Sequence, residues 1–125
     1  MYRASAERAA DAAGRFDVTG PHAMLMQEVQ RVEPKPGAYI LGNDQNRALY
    51  VGRANANLRS QLMAHLIPLV PGVVIASRFW YEPAANQWDA YLIECRWYHQ
   101  FAPTHNAGHP ARPLGAIMGC PVCGR

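Results

Sequence analysis

The sequence predicts a small α/β domain, with a three-stranded, mostly antiparallel sheet flanked by helices. Two short apolar runs, residues 37–41 and 47–52, are separated by polar residues that favour a hairpin turn. Residues 73–81 form a third run that is rich in β-branched and aromatic side chains. Helical spacing of apolar residues follows the second run and again the third, which gives the order β-β-α-β-α. A chain of 125 residues can bury one core of this kind.

The composition argues against a membrane protein and says little about a partner. No segment approaches about 18 consecutive apolar residues. The N-terminal residues lack the apolar core of a signal peptide, so we expect a cytoplasmic location. The formal net charge is +3, and Lys35 is the only lysine. Arginine suits phosphate recognition, but so small a charge fits an ordinary solvated surface equally well.

Residues 1–35 are predicted to form an N-terminal helical extension. Residues 4–14 are alanine-rich, which favours a helix. A second helix is predicted from Thr19 to about residue 32, because Pro21 suits a first helical turn. Its apolar residues at helical spacing are Met24, Leu25, Val29 and Val32. We assign no chemistry to this extension.

The predicted core follows, over residues 36–106. In its first strand Ala38 and Ile40 should face one side and Tyr39 the other, because strand side chains alternate. After the second strand, Asn57 can cap a helix whose buried stripe is Leu58, Leu62 and Leu66. The longest helix is predicted over residues 84–101.

Glu94 is unusual within this longest helix, because its neighbours at helical spacing are mostly aromatic: Tyr91, Trp97, Tyr98 and Phe101. A carboxylate in such surroundings needs a cation, a metal ion or a hydrogen-bond donor. The plainer interpretations are a surface glutamate between amphipathic tyrosines, or an ion pair with Arg53 or Arg59.

Three motifs in this order resemble those of the GIY-YIG nuclease family. They are Gly37-Ala38-Tyr39, Tyr50-Val51-Gly52 and Asn57-Leu58-Arg59, on the predicted hairpin and the helix after it. The segment from Glu94 through Pro103 to Asn106 is similar to that family's closing motif. The resemblance covers roughly residues 36–106, and the predicted order of elements is similar to the family's core.

The resemblance implies hydrolysis of DNA phosphodiester bonds with one divalent ion, Mg²⁺ or Mn²⁺. By match to the family, Glu94 would be the metal ligand and Tyr50 would activate or position the attacking water. Tyr39 would hydrogen-bond near the phosphate. Gly52 would let the backbone approach the substrate. Asn106 would brace the loop after the helix or contact the phosphate.

The match fails at one functional position. Where the family carries a helix arginine that is expected to clamp the scissile phosphate, this chain has Gln61. Arg59 lies about 200° away around a helix, and Arg53 is better placed; we expect both to bind phosphate. His65 matches a histidine of some members and should line the pocket with Gln61. The chain is then either a nuclease with a relocated cation or a fold that has lost turnover.

The C-terminal tail, residues 107–125, has no helical or strand periodicity and ends in Cys120-Pro-Val-Cys123-Gly. A tight turn of this type aims two thiolates at one ion, so we expect a structural Zn²⁺ site that packs the tail on the core. A reduced cysteine pair without metal is the alternative.

The two remaining zinc ligands come from four candidates. We favour His109 together with His105, which lie four residues apart just before the cysteines. Cys95 and His99, also four apart on the long helix, are the other candidates.

These expectations favour a metal-dependent endonuclease that acts on DNA. The first alternative is a catalytically inactive DNA-binding or protein-interaction module with a structural zinc site. A domain unrelated to nucleic acid is the second.

Overall fold

The computed structural model describes residues 19–66 and 75–125. Strands are β1 (Thr19–Ala23), β2 (Gly37–Gly42), β3 (Ala48–Ala54) and β4 (Arg78–Pro83). Helices are α1 (Met26–Val29), α2 (Leu58–Leu66) and α3 (Gln87–Phe101). The helix predicted at residues 4–14 lies outside the described residues. The β-β-α-β-α order is confirmed as β2-β3-α2-β4-α3.

The strands form one antiparallel sheet in the order β1-β4-β2-β3. β2 is a central strand, paired with β3 on one side and β4 on the other, and all six of its residues are buried. The sheet therefore has four strands, and the prediction of three was wrong. β3 is an edge strand in this order, which leaves its outer side to the C-terminal tail.

The additional strand is β1, where the sequence predicted the start of a helix. It pairs with β4, with Thr19 opposite Tyr81 and His22 opposite Phe79. Pro21 lacks a backbone N–H and is compatible with an edge strand as well as with a first helical turn. Only the short helix α1 follows, although Val29 and Val32 are buried as the apolar spacing predicted.

The hairpin and the helix after it form through local hydrogen bonds. The Asn43 side-chain oxygen accepts from the backbone N–H groups of Gln45 and Arg47, both at 2.9 Å, which closes the turn between β2 and β3. Asn57 caps α2, because its side-chain oxygen accepts from the N–H of Ser60 at 3.1 Å. Of the predicted buried stripe, Leu58 and Leu62 are buried and Leu66 is partly buried.

The two faces of the sheet bury separate cores. Ala38 and Ile40 lie in the core that α3 covers, whereas Tyr39 and Leu41 lie in the core of α1 and α2. The predicted alternation along β2 is therefore confirmed. Trp80 is a fully buried member of the α3 core.

α3 begins at Gln87, three residues later than predicted, because Asn86 is its N-cap and accepts from the N–H of Asp89. β4 was predicted over residues 73–81, but it runs from Arg78 to Pro83; residues 75–77 precede the strand, so the predicted start was too early. Among the described residues, no helix combines the length and apolar character that crossing a membrane requires.

The tail first runs along β3. α3 ends at Phe101, and the left-handed backbone of its C-cap residue Ala102 (φ 43°) turns the chain. The N–H of His105 then donates to the carbonyl of Leu49 at 2.8 Å. The Asn106 side chain both donates to and accepts from the backbone of Val51, at 2.9 Å each. These contacts satisfy backbone groups that an uncovered edge would expose.

Candidate active site and metal-binding group

The pairing of β2 and β3 sets the first part of the site, because it places Tyr39 opposite Gly52. A Cβ atom at Gly52 would lie 2.5 Å from the hydroxyl of Tyr39 and 2.8 Å from the ring of Tyr50. The glycine therefore makes room for two tyrosine rings. This requirement is distinct from the predicted approach of substrate to the backbone.

Tyr39, Tyr50 and His65 form an aromatic group on the α2 side of the sheet. The Tyr39 hydroxyl lies 2.8 Å from Nε2 of His65. Ring centroids are 5.4 Å apart for Tyr39 and His65, 5.7 Å for Tyr50 and His65, and 6.2 Å for the two tyrosines. The Gln61 side chain is close enough to Tyr39 to lower the pKa of its phenol. The structure thus brings together four of the predicted site residues.

Burial determines the protonation of this aromatic group. Tyr39 is only 1% exposed, and burial, with smaller contributions from Tyr50 and Glu94, raises its pKa well above the ordinary value. Burial also lowers the pKa of His65. At neutral pH the Tyr39 phenol is therefore protonated and the His65 imidazole is neutral, so their hydrogen bond joins two uncharged groups.

Glu94 and Arg53 form the second part of the site. Nη1 of Arg53 lies 2.7 Å from Oε1 of Glu94, and only 12% and 11% of the two side chains are exposed. Burial raises the pKa of Glu94 to about 7, against the opposing effect of Arg53. The predicted ion pair with an arginine is therefore present, with Arg53 as the partner.

Further contacts fix the Arg53 guanidinium. Nε donates to the Asn55 side chain at 2.7 Å, and Nη1 also donates to the carbonyl of Ala111 at 3.0 Å. The guanidinium carbon Cζ of Arg53 lies 5.4 Å from the centroid of the Tyr91 ring. Three of the five N–H donors of Arg53 thus have partners.

The two parts of the site are electrostatically coupled. Burial is the largest cause that raises the pKa of Tyr50, and the Glu94 carboxylate is the second. The same carboxylate also raises the pKa of Tyr39. Tyr50 is partly exposed, unlike Tyr39. A phenol within reach of solvent and within the field of a carboxylate is suited to orient a water molecule.

Asn106 has one of its two expected positions, whereas Arg59 lies away from the aromatic group. Asn106 bonds the backbone of Val51, so it braces the segment after α3. Arg59 does not join the group: its Nε donates to the carbonyl of Val32 at 2.8 Å. The reason is its position on α2, about 200° around the helix from Gln61.

A second group of side chains could hold a metal ion. The ligand atoms of His99, His109, Cys120 and Cys123 all lie within 4.8 Å of one another. His105 was predicted as a ligand and is not in this group. Its backbone follows β3, and its Nδ1 hydrogen-bonds the hydroxyl of Thr104 at 2.7 Å.

Spacing in the sequence could not show that His99, rather than His105, belongs to the metal-binding group. His99 is in the last turn of α3, and only the path of the tail after Ala102 brings His109 back to it. The rings of His99 and His109 lie 5.1 Å apart. The carbonyl of Ala111 was also missed, since a backbone group leaves no signal in the residue types.

Comparison with known proteins identifies the fold. No protein-family model matches the sequence, and no curated protein matches it. The structure is similar to the GIY-YIG N-terminal endonuclease domain of UvrC from Thermotoga maritima bound to magnesium, its catalytic divalent cation, with a TM-score of 0.58 at 22% identity. The match covers 65% of this chain and 93% of that one.

A variant of the same domain, with an asparagine replaced by alanine, gives a TM-score of 0.59 at 21% identity over 66% of this chain and 93% of that one. Its structure too contains the catalytic divalent cation. The chain has the fold of GIY-YIG endonuclease domains.

Proposed function

We propose that this chain is a metal-dependent endonuclease that hydrolyses phosphodiester bonds in DNA. The observation that carries the proposal is the buried Arg53–Glu94 pair, whose carboxylate raises the pKa of Tyr50 and of Tyr39, the hydrogen-bond partner of His65. This arrangement occurs in the fold of a nuclease domain known with bound magnesium. Phosphodiester hydrolysis needs an oriented water and positive charge near the phosphate, and this group can supply both.

Glu94 is the proposed ligand of a Mg²⁺ or Mn²⁺ ion. Mg²⁺ usually binds proteins through one or two carboxylates and keeps several waters. A glutamate whose hydrogen bond to Arg53 engages Oε1 fits such an ion. The ion would polarise the phosphate and lower the pKa of its bound water.

The side chains have separate proposed roles. Tyr50 orients the attacking water, because it is the more exposed of the two tyrosines. Tyr39 and His65 hold each other in place through their hydrogen bond and thereby fix the floor of the pocket. Arg53 provides positive charge for the phosphate, because Gln61 provides none.

We assign the activity to residues 36–106 and place the protein in the cytoplasm. In this division, residues 1–35 and 107–125 are additions to the nuclease core. Zn²⁺ is the proposed occupant of the group His99, His109, Cys120 and Cys123.

Nicking of supercoiled plasmid DNA in Mg²⁺ or Mn²⁺ tests the function. Glu94→Gln should lower the rate at least about a hundredfold, because the neutral amide is a poor metal ligand. Asp89→Asn is the matched control, since it removes an exposed carboxylate from the same helix. Nicking that survives Glu94→Gln would reject the proposal.

The second candidate is a catalytically inactive module that binds DNA. Gln61 favours it, because the glutamine lacks the charge of the family's arginine. The Arg53–Glu94 pair also favours it, because the cation already neutralises the carboxylate. Salt-dependent DNA retention on a gel, without cleavage in either metal, would support this candidate.

A further inference from the structure

The metal-binding group joins the C-terminal tail to the helix that carries Glu94. His99 belongs to the last turn of α3, while His109, Cys120 and Cys123 belong to the tail. In a tetrahedral zinc site, sulfur lies about 2.3 Å and nitrogen about 2.0–2.1 Å from the ion, so ligand atoms are about 3.3–3.8 Å apart. Sγ of Cys123 and Nε2 of His109 are 3.4 Å apart.

Contacts around the ligands suit metal binding. Nδ1 of His109 lies 2.9 Å from the carbonyl of Pro110 and donates to it, which leaves the Nε2 lone pair facing Cys123. Sγ of Cys120 accepts the backbone N–H of Val122 at 3.3 Å. Such outer contacts orient ligands and stabilise thiolates.

We propose that His99, His109, Cys120 and Cys123 hold one Zn²⁺ ion, and that the zinc-bound tail positions Arg53 on Glu94. Two thiolates and two imidazoles favour zinc over Mg²⁺ or Ca²⁺. Four protein ligands form a closed, structural site.

The zinc-binding tail contacts Arg53 through one backbone carbonyl. Ala111 accepts from Nη1 of Arg53, and it lies two residues after the ligand His109. The next residue, Arg112, donates to the carbonyls of Gly124 and Arg125, which directly follow the ligand Cys123. Ala111 is therefore anchored to zinc-bearing segments on both sides.

The positioning role of the tail matters because Arg53 must make up for Gln61. Nη1 is shared between Glu94 and Ala111, and Nε is held by Asn55. With the tail released, Arg53 loses one of its three partners and can rotate away from Glu94. This consequence for phosphate binding rests on the proposed nuclease function, whereas the zinc site and the orientation of Arg53 do not.

Metal analysis of the purified protein tests the zinc site. The wild-type protein and His105→Gln should each contain about one equivalent of zinc, whereas His99→Gln should contain less than about half. Both substitutions remove one histidine, but only His99 belongs to the group. Full zinc in His99→Gln, or its loss in His105→Gln, would overturn the ligand assignment.

Cobalt substitution of the wild-type protein keeps the test independent of variants that fail to fold. Tetrahedral Co²⁺ with two thiolates should give strong visible and thiolate charge-transfer absorption, and Cys123→Ser should weaken the latter. A spectrum of octahedral Co²⁺ without thiolate bands would contradict the site.

The effect on Arg53 is measured without DNA, from the Nε–H signals of arginine in ¹⁵N-labelled protein. Zinc removal should speed exchange of the Arg53 Nε–H with solvent about tenfold or more. Arg59 is the internal control, because its Nε donates to Val32 rather than to the core around Glu94. An unchanged Arg53 signal in zinc-free, folded protein would reject the positioning role. If zinc removal changes the Arg53 signal as expected but the protein cleaves no DNA, only the proposed nuclease function is rejected.

Discussion

Arg53 and Glu94 form a nearly buried ion pair, with Nη1 and Oε1 2.7 Å apart, between an edge strand and the longest helix. The two residues are 41 positions apart in the sequence. Each lies beside or within a different sequence motif: Arg53 directly follows Tyr50-Val51-Gly52, and Glu94 begins the segment that ends at Asn106. The pair thus connects the strand that carries Tyr50 to the helix that carries the proposed metal ligand.

Removing only the cation should destabilise the protein. Arg53→Met leaves Glu94 buried without its partner, either as an unpaired charge or as a protonated carboxyl, so we expect unfolding free energy to fall by about 3 kcal/mol. The double variant Arg53→Met/Glu94→Gln should recover much of this loss, because the neutral amide costs less to bury. Urea unfolding measures both values.

Arg96→Gln is the control for this pair, since Arg96 is an exposed arginine on the same helix as Glu94. It should change the unfolding free energy by less than about 0.5 kcal/mol. An equally large loss in this variant would show that helix charge, rather than the buried pair, determines the effect.

Gly52 should not tolerate a side chain. Gly52→Ala places a Cβ atom 2.5 Å from the Tyr39 hydroxyl, so we expect a loss of about 1–3 kcal/mol from overpacking. Gly108→Ala is the matched control, because a Cβ atom there meets nothing within 4 Å. Thermal unfolding of the two variants should separate them clearly; equal melting temperatures would contradict the close packing of the tyrosine pair.

The hairpin, the helix after it and the buried faces of β2 could be predicted because each depends on local signals. Asn43 closes the turn, Asn57 caps α2, and alternation along β2 separates Ile40 from Tyr39. β1 could not be predicted, since Pro21 is compatible with both a helix start and an edge strand. Pairing with β4, which is distant in the sequence, decides between them.

In the candidate site, too, residues placed by local signals could be predicted, whereas those placed by the path of the tail could not. Residues carried by the strand and helix motifs lie together as expected, namely Tyr39, Tyr50, Gln61 and His65. The metal-binding group depends on the path of a tail without periodicity. Spacing therefore favoured His105, and the turn at Ala102 selects His99.

His65 should make stability depend on pH. Because burial lowers its pKa in the folded protein, the unfolded chain binds the proton more readily. The contribution of the neutral imidazole is present above pH 6.5 and is lost as the pH falls below that value. The slope cannot exceed about 1.4 kcal/mol per pH unit for one group.

Comparing wild type with His65→Gln isolates this contribution, since the glutamine can still hydrogen-bond Tyr39 but does not titrate. The wild-type protein should lose more unfolding free energy than His65→Gln between about pH 7.5 and pH 5.5. His22, whose pKa burial also lowers, contributes equally to both proteins and cancels in the difference. Parallel stability curves would contradict the assignment.

Gln61 is the position where added charge should raise activity. Residue 61 is exposed and lies beside Tyr39, so an arginine there can reach the aromatic group without being buried. Because one correctly placed donor to a developing charge is worth about 10²–10³ in rate, even an imperfectly oriented guanidinium should accelerate nicking at least about tenfold.

Ser60→Arg is the control for Gln61→Arg, because Ser60 is an exposed neighbour on α2 that points about 100° away. It adds the same charge to the helix and should strengthen DNA binding generally without a comparable gain in cleavage. If both variants accelerate nicking equally, the gain comes from attraction of DNA to a more basic surface. If only Gln61→Arg does so, the pocket binds the scissile phosphate beside Tyr39, and Arg53 only partly replaces the missing cation.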